Sequence, residues 1–287
     1  MNEVTESTAK STLYVVATPI GNLGDLGSRA LEVLANVRWI AAEDTRHTGR
    51  MLRHFGIATP TVSLHEHNER QRCARILELL ANGDAVALVS DAGTPLVSDP
   101  GYHLVREIAA AGYGVIPVPG ACAAIAALSV SGLPTDRFTF EGFLPARAGP
   151  RQARLKALSD ESRTLIFYET PRRVLESLND MIAAFGPARS AYVGRELTKL
   201  HETHYRGTLS EIIGRLTEAP DQLRGEFVVC VQGGEAGPSP STIDADRLLE
   251  MLVGELPVGT IAAVMVEAVG GRRNDWYRKA LALKEKP

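Results

Sequence analysis

Several polar side chains occur together in the segment Ala42–His47, directly after the apolar run Trp39–Ala42. Glu43 and Asp44 carry carboxylates that can orient a hydroxyl or accept its proton, and Arg46 can hold a phosphate through paired hydrogen bonds. Capping is the alternative for part of the segment, because aspartate or threonine at a helix start accepts hydrogen bonds from free backbone N–H groups. The segment therefore predicts a polar site whose members divide between chemistry and capping.

Three further segments combine glycine with turn residues directly after an apolar run: Thr18–Gly24, Ser90–Gly101 and Pro117–Ala124. Glycine lets the backbone approach a ligand closely, and open α/β sheets bind ligands at the carboxyl ends of their strands. Asp91 can accept hydrogen bonds from such a ligand while the chain at Gly93 wraps around it. Ordinary turns and close helix–sheet contacts are the alternatives. The spacings match neither the dinucleotide-binding nor the P-loop motif.

The second half of the chain has two similar segments, Phe167–Pro171 and Gly194–Lys199. Tyr168 can stack on a flat ring. Lys199 can stabilise a developing oxyanion or bind a phosphate, although a lone lysine is more often solvated surface.

Two histidines, His65 and His67, alternate on an extended segment and therefore face the same way. The spacing offers no third metal ligand, so we predict no metal site. A polar surface loop that includes Asn68 is the preferred interpretation, and a helix start at Asn68 is the alternative.

Short apolar runs alternate with amphipathic stretches along most of the chain, and the runs are apolar on both faces. This pattern favours an α/β fold with mostly parallel or mixed sheets flanked by helices. Strands are predicted at 13–17, 39–42, 85–89, 115–118, 165–168, 191–194, 201–207 and 227–231. Helices are predicted at 30–37, 48–55, 68–80, 101–111, 121–128, 174–185 and 208–216, and a loop at 145–150.

Three regions follow from this pattern. A break at Gly132–Pro134 separates two predicted α/β domains, residues 12–132 and 133–233. The segment Gly233–Ser241 is typical of a flexible linker. Residues 242–287 are predicted to form a small helical tail, with helices at 245–253, 260–269 and 276–283.

Bulk composition limits the function. The 287 residues carry a formal net charge of −3, which excludes a protein that coats nucleic acid non-specifically. Cys73, Cys122 and Cys230 have no paired spacing, so neither disulfides nor a zinc site are expected. The polar first residues lack the features of a signal peptide, and no apolar run approaches the roughly 18 residues of a membrane span. We therefore expect a cytoplasmic protein with no membrane partner.

Taken together, eight segments of the chain resemble the RsmI family of the tetrapyrrole-methylase fold. They occur in the order typical of that family between Leu13 and Val231. The segments are LYVVATPIGNLGDLGSRALEVL, IAAEDTRHTGRML, LHEHNE, VALVSDAGTPLVSDPGYHLVRE, VIPVPG, SGLPTDRFTFEGFLP, RTLIFYETPRR and RELTKLHE.

The resemblance implies an enzyme that binds S-adenosyl-L-methionine between two α/β domains and forms a homodimer. It implies 2′-O-methylation of a cytidine ribose at the decoding centre of 16S rRNA in the small ribosomal subunit, with no DNA partner. The positions that match the cofactor-binding loops of the fold are Pro19, Asp91, Ala92, Gly93, Thr94, Ser98, Pro119, Gly120, Ala121, Tyr168 and Leu197. The catalytic candidates are Glu43, Asp44 and Lys199, and the candidates for RNA contact are Arg46, His47, His65, His67 and Asn68.

A basic stretch between Pro145 and Leu158 contains no acidic residue. It contributes Arg147, Arg151, Arg154 and Lys156. We expect these side chains to contact rRNA phosphates, which makes binding salt-dependent. A solvated helix face is the alternative.

The chain departs from the family pattern at two places. Cys122 stands where many members have serine, so a side-chain contact with the cofactor there is not expected, and the resemblance fades after Gly233. Two other functions remain open: a tetrapyrrole C-methyltransferase on the same fold, and a non-catalytic module that binds the cofactor or the ribosome. The charged segments Glu43–His47 and His65–Asn68 argue against a broad apolar cleft for a macrocycle.

Overall fold

Within residues 9–64, 69–234 and 245–284, which the computed structural model describes, ten strands form two five-stranded sheets. The first sheet contains β1 (Thr12–Val16), β2 (Trp39–Ala42), β3 (Thr61–Ser63), β4 (Val86–Val89) and β5 (Gly114–Val118). Its strand order is β3-β2-β4-β1-β5, and every pair is parallel. All five strands therefore end at the same edge, where the segments rich in glycine and acidic residues begin.

Helices cover both faces of this sheet: α1 (Ser28–Asn36), α2 (Thr45–His54), α3 (Glu69–Ala81) and α4 (Tyr102–Ala110). Successive strand residues point to opposite faces, so Tyr14 packs in the core beneath α1 and α2, whereas Leu13 packs in the core beneath α3 and α4. Burial on both faces explains why the inner strands β1, β2 and β4 are almost entirely apolar.

The second sheet contains β6 (Phe138–Phe143), β7 (Thr164–Glu169), β8 (Ser190–Arg195), β9 (Thr203–Thr208) and β10 (Phe227–Val231). Its order is β6-β7-β10-β8-β9; the β6–β7 pair is parallel and the other pairs are antiparallel. The register of β6 shifts between Phe140 and Gly142, and Gly142 has a φ of 64°. This bulge redirects the end of β6, which carries Phe143.

One face of the second sheet packs against α5 (Ala123–Ser131), and the other packs against α6 (Ala148–Ala157), α7 (Val174–Phe185) and α8 (Leu209–Glu218). The core beside α5 includes Ile166, Tyr192 and Val228, together with Ile20 from the segment after β1. The segment after β1 is therefore anchored on the second sheet.

A separate compact unit begins at Gly234. Its helices are α9 (Ala245–Val253), α10 (Val258–Val269) and α11 (Arg273–Lys284), and its core contains Leu249, Ile261, Met265 and Ala280. In the described parts of the chain, no helix combines the length and apolar character needed to cross a bilayer.

The α/β class and the helical tail predicted from the sequence are confirmed. Two strands are missing from the prediction: β3, which has only three residues, and β6, whose exposure at both ends weakens its pattern. The predicted loop 145–150 is partly wrong, because α6 already begins at Ala148. Pro150 fits there, since the first turn of a helix does not need its N–H group. A domain boundary at residue 132 remains a prediction.

The capping box predicted at α8 is present. Thr208 Oγ1 accepts a hydrogen bond from Glu211 N at 3.2 Å, and the Glu211 carboxylate accepts one from Thr208 N at 2.8 Å. We expect Thr208→Ala to lower the free energy of unfolding by about 1 kcal/mol in urea titrations. The exposed neighbour Ser210 provides the matched control, and an equal loss in Ser210→Ala would contradict the capping role.

Candidate active site

Three of the loops at the carboxyl edge of the first sheet are tied together by hydrogen bonds. Thr18 and Gly93 exchange backbone hydrogen bonds of 2.8 and 3.0 Å, which link the loop after β1 to the loop after β4. Thr94 Oγ1 donates to the carbonyl of Ala121 at 3.0 Å, which links the loop after β4 to the loop after β5. Gly93 has a φ of 82°, a conformation that glycine adopts without strain.

These loops and the second sheet enclose a cavity of about 380 Å³. This volume is within the range of small-molecule sites. The first half of the chain lines it with Ile20, Glu43, Asp91, Ala92, Gly93, Thr94, Val97, Ser98, Asp99, Cys122 and Ala123. The second half lines it with Phe143, Tyr168, Glu169, Thr170, Pro171, Gly225, Glu226, Phe227 and Val228.

Carboxylates dominate the part of the cavity that the first half of the chain lines. Burial raises the pKa of Glu43 above its ordinary value, and the negative charges of Asp91 and Asp99 raise it further. Burial likewise raises the pKa of Asp99, against a hydrogen bond from Ser90. Asp91 Oδ1 accepts a hydrogen bond from the backbone N–H of Asp44 at 2.9 Å, which ties the loop after β2 to the loop after β4. Its raised pKa means that Glu43 has an increased affinity for a proton.

Aromatic rings form part of the wall contributed by the second half of the chain. The ring of Tyr168 makes edge contacts with Phe140 and Phe143, at centroid distances of 4.9 and 5.6 Å. Its hydroxyl accepts a hydrogen bond from the Ala124 backbone at 3.2 Å, and burial raises its pKa. Tyr168 is therefore a neutral, fixed surface, and Phe143 is half exposed at the cavity mouth.

One buried acid of the cavity, Glu169, was not predicted from the sequence. Its carboxylate accepts hydrogen bonds from Ser177 Oγ at 3.0 Å and from Thr170 N at 2.9 Å, and it lies 3.6 Å from Arg173 Nε. These contacts fix the end of β7 against the start of α7. The only signal in the sequence was its place at the end of an apolar strand, beside Tyr168.

Residues with strained backbone conformations occur after one strand of each sheet. Leu96 and Ser98 follow β4, and Glu196 and Thr198 follow β8; all four have φ values between 50° and 72° without being glycine. Such conformations cost on the order of 1–3 kcal/mol each and tend to cluster at functional sites. Ser98 lines the cavity and Glu196 pairs with Lys199, so the strain supports a functional role for both loops.

Lys199 is held at the rim by two carboxylates. Its Nζ lies 2.9 Å from Glu196 Oε1 and 3.1 Å from Glu226 Oε2, and Glu226 lines the cavity. Partial burial acts to lower the pKa of the amine, but the hydrogen bonds to the two carboxylates outweigh it and raise the pKa. A Cβ on Gly21 would lie 2.3 Å from Lys199 Cγ, so the lysine packs closely on the loop after β1. Lys199 is a fixed cation and not a proton acceptor.

The structure places Asp44 outside the cavity lining, at the N-cap of α2. Its Oδ1 accepts a hydrogen bond from Arg46 N at 2.8 Å, and Arg46 Nη2 pairs with Oδ2 at 3.3 Å. The carboxylate pKa is lowered by the hydrogen bonds from Arg46. Asp44 therefore caps α2, and its catalytic role remains a prediction. Arg46 and His47 lie exposed on the first turn of α2.

Not every position predicted for the cofactor lines the cavity. Asp91, Ala92, Gly93, Thr94, Ser98 and Tyr168 do. Pro19 is buried beside Ile20, and Ala121 supplies the carbonyl that Thr94 binds. Leu197 packs in the core beside α5, whereas Pro119 and Gly120 are exposed. His65, His67 and Asn68 lie outside the described residues.

The basic stretch predicted for phosphate contact is divided by the fold. Arg151 is only 3% exposed, and its Nε lies 2.6 Å from Asp180 Oδ2. Its assignment to RNA is therefore corrected: the guanidinium is used inside the protein. Arg154 pairs with Glu141. Arg147 is exposed, and its side chain has no partner among the described residues.

In the described ranges, no group of three His, Cys, Asp or Glu residues could hold a metal ion.

The family model "Tetrapyrrole (Corrin/Porphyrin) Methylases" matches residues 12–213, and the model "RsmI C-terminal HTH domain" matches residues 239–284. The second match corrects the expectation that the resemblance fades after Gly233.

Two solved structures share the fold at low identity. Uroporphyrin-III C-methyltransferase from Thermus thermophilus has a TM-score of 0.55 at 20% identity, covering 77% of this chain and 94% of that chain. The cobalamin biosynthetic enzyme cobalt precorrin-4 methyltransferase has a TM-score of 0.59 at 14% identity, covering 80% and 98%. At these identities the similarity shows the fold alone.

Two relatives named "Ribosomal RNA small subunit methyltransferase I" match nearly the whole chain. The Pseudomonas aeruginosa protein is 53% identical over 272 residues, covering 94% of this chain and 96% of its own length. The Haemophilus influenzae protein is 48% identical over 276 residues, covering 96% and 98%. The chain therefore belongs to the tetrapyrrole methylases and, within them, to the ribosomal RNA small subunit methyltransferase I (RsmI) family.

Proposed function

We propose that the protein is an S-adenosyl-L-methionine-dependent methyltransferase that modifies the ribose 2′-hydroxyl of a cytidine at the decoding centre of 16S rRNA. The observation that carries this proposal is the extent of the match. Relatives named as rRNA methyltransferases cover 94% of the chain, so both halves of the cavity lie inside the shared region. A ribosomal substrate implies the cytoplasm as the place of action, and a homodimer remains part of the proposal.

The residues of the cavity fit the methyl donor. A sulfonium and an amine are cationic, and Asp91 and Asp99 supply carboxylates to the cavity. A flat adenine suits the wall formed by Tyr168 and Phe143. Gly93 lies in the cavity wall, where a side chain would approach Ile20. Because it has no side chain, its backbone stays accessible to a ligand. Carboxylates, an aromatic wall and open backbone are therefore available within one enclosed space.

S-adenosyl-L-methionine, when bound, supplies a methyl group that its sulfonium already activates, so the protein has two tasks. It must hold the ribose oxygen in line with the methyl carbon, and it must accept the hydroxyl proton as the new C–O bond forms and the C–S bond breaks. Glu43 is the proposed acceptor, because its carboxylate lines the cavity and its pKa is raised. Lys199 is the proposed cation that favours the developing negative charge on oxygen.

Transfer of a radioactive methyl group tests the proposal. Purified protein is incubated with labelled S-adenosyl-L-methionine and with small subunits that lack the modification, and the rRNA is digested to nucleosides. We expect label in 2′-O-methylcytidine and none with large subunits. Label in a porphyrinoid, or binding of donor and ribosome without transfer, would overturn the proposal in favour of the alternatives.

Gly93 provides a test of the donor site with a matched control. A Cβ at Gly93 would lie 3.2 Å from Ile20 Cγ2, in the cavity wall, whereas a Cβ at Gly112 would meet nothing within 4 Å. The φ values are 82° and 81°, so both alanine variants carry similar backbone strain. We expect Gly93→Ala to weaken donor binding about tenfold, which corresponds to about 1.4 kcal/mol in calorimetry.

The alanine variant of Gly112 should bind the donor as the wild type does, although both variants lose about 1–2 kcal/mol of stability from the left-handed backbone. Equal donor affinity in the two variants would show that the contact with Ile20 does not shape the site.

A further inference from the structure

A second cavity, of about 560 Å³, lies beside the first and has no role in the proposed methyl transfer. Its lining consists of Arg195, His201, Glu202, Thr203, Asp221, Gln222 and Arg224. The two cavities share no lining residue, but one short segment runs from one to the other, because Arg224 lines the second and Gly225 and Glu226 line the first. Two residue steps of about 3.8 Å each separate Arg224 from Glu226. The two cavities therefore lie close enough for one bound polymer to reach both.

Arg195, at the end of β8, gives the second cavity its character. The residue is only 8% exposed, and its guanidinium donates to two carbonyls: Nε to Arg224 at 2.8 Å and Nη1 to His201 at 3.1 Å. Among the described residues it forms no close ion pair with a carboxylate, in contrast to buried Arg151, which pairs with Asp180. Neutral carbonyls orient the charge, and the carboxylate of Glu196 acts on it only at longer range. A buried cation of this kind favours an anion from outside the chain.

The other charges of the lining allow such an anion. Arg224 and His201 are exposed, and their side chains have no partner in the described ranges. Glu202 is held by its neighbours, because its Oε1 lies 2.8 Å from His204 Nε2 and its other oxygen accepts a hydrogen bond from Thr198 N. Asp221 is the other acid of the lining, and both acids oppose an anion.

We propose that the second cavity is a phosphate subsite for the RNA strand, in which Arg195 and Arg224 hold a backbone phosphate next to the nucleotide whose ribose enters the first cavity. A guanidinium fixed in place by carbonyls suits a phosphate diester, since its planar N–H groups match the spacing of phosphate oxygens. The subsite rests on the proposed function. It adds that the RNA strand is held by its phosphate backbone at the end of β8.

Arg224→Ala is the primary test, because Arg224 is exposed and its loss should leave the fold intact. The measurement is the dissociation constant for unmodified small subunits across a range of salt concentrations. One phosphate contact on a single strand contributes about 0.7 to the slope of log K against log salt, or roughly fivefold in affinity near 0.1 M salt. We expect Arg224→Ala to reduce the salt slope by about 0.7 and the affinity for small subunits about fivefold. Asp221→Asn should bind small subunits more tightly than the wild type does.

Arg38→Ala is the matched control. Arg38 is exposed and directly precedes β2, so it lies at the opposite edge of the first sheet. Its removal should change neither the affinity nor the slope. An Arg224→Ala protein with the wild-type salt slope, or one weakened no more than Arg38→Ala, overturns the subsite.

The two proposals fail in distinguishable ways. Wild-type protein that transfers methyl groups to rRNA while Arg224→Ala binds normally removes the phosphate subsite and leaves the proposed function standing. Wild-type protein that neither binds nor methylates small subunits removes both.

Discussion

Replacing Glu43 with glutamine is expected to slow methyl transfer by about 100-fold or more, the usual contribution of a general base. The amide keeps the size of the side chain but cannot accept the hydroxyl proton. Single-turnover transfer of label to small subunits, with both substrates saturating, measures the effect directly. Donor affinity should change much less than the rate, because the proposed role of Glu43 lies in the reaction step.

Asp44 offers a neighbouring control for this experiment. Its carboxylate caps α2 instead of lining the cavity, and asparagine is an equally good cap. Asp44→Asn should therefore transfer methyl groups at about the wild-type rate, within roughly twofold, since the capping group is retained. If Asp44→Asn instead lost most of the transfer rate and Glu43→Gln lost little, Asp44 would be the proton acceptor and Glu43 would not.

The pH dependence of the same reaction follows from the pKa shift at Glu43. The base works only when it is deprotonated, so the rate rises with pH through the pKa of Glu43. Burial and the charges of Asp91 and Asp99 raise that pKa, which places the acid limb above the pH expected for an ordinary glutamate. Asp91→Asn removes one negative charge and should move the limb to lower pH. A limb that stays in place in Asp91→Asn but disappears in Glu43→Gln would assign the limb to Glu43 and remove the coupling.

The sequence predicts the fold well because burial on both faces leaves a strong local pattern. Central strands such as β4 and β10 are apolar at every position, and the capping box of α8 is a contiguous signal. The loops after β1, β4 and β5 are also recognisable, since glycine and aspartate mark them. Short or edge strands are less visible: β3 has three residues, and β6 is exposed at both ends.

The partners of charged side chains cannot be read from the sequence. Nothing near Lys199 in the chain indicates that Glu226, which directly precedes β10, will approach it. For Glu169, the place at the end of an apolar strand does not show that the carboxylate is buried in the cavity. The same limit explains the error at Arg151. Its neighbours along the chain are basic or neutral, but Asp180 of α7 meets it through packing of α6 on α7.

Arg151 therefore leads to a prediction of stability. Its Nε lies 2.6 Å from Asp180 Oδ2 and its Nη2 lies 3.4 Å from Glu176 Oε2, with 3% of the residue exposed. In Arg151→Met the methionine fills part of the space, but the mostly buried carboxylate of Asp180 loses its cation. We expect the free energy of unfolding in urea to fall by about 3 kcal/mol, as for other buried pairs that lose one partner.

An exposed ion pair on α4 provides the comparison. Arg106 and Glu107 are about half exposed, so Arg106→Met should cost at most about 0.5 kcal/mol. Destabilisation of the same size in both variants would show that burial does not strengthen the Arg151 contact.

Binding to small subunits distinguishes the arginines of the basic stretch that stabilise the fold from those that contact RNA. Arg147 is exposed and remains the candidate for a phosphate contact, so Arg147→Ala should reduce the slope of log K against log salt by about 0.7. Arg151→Met, assayed where it is fully folded, should keep the wild-type slope because its guanidinium already neutralises Asp180. The reverse outcome, an unchanged stability with a reduced slope in Arg151→Met, would mean that this arginine leaves Asp180 to reach the rRNA.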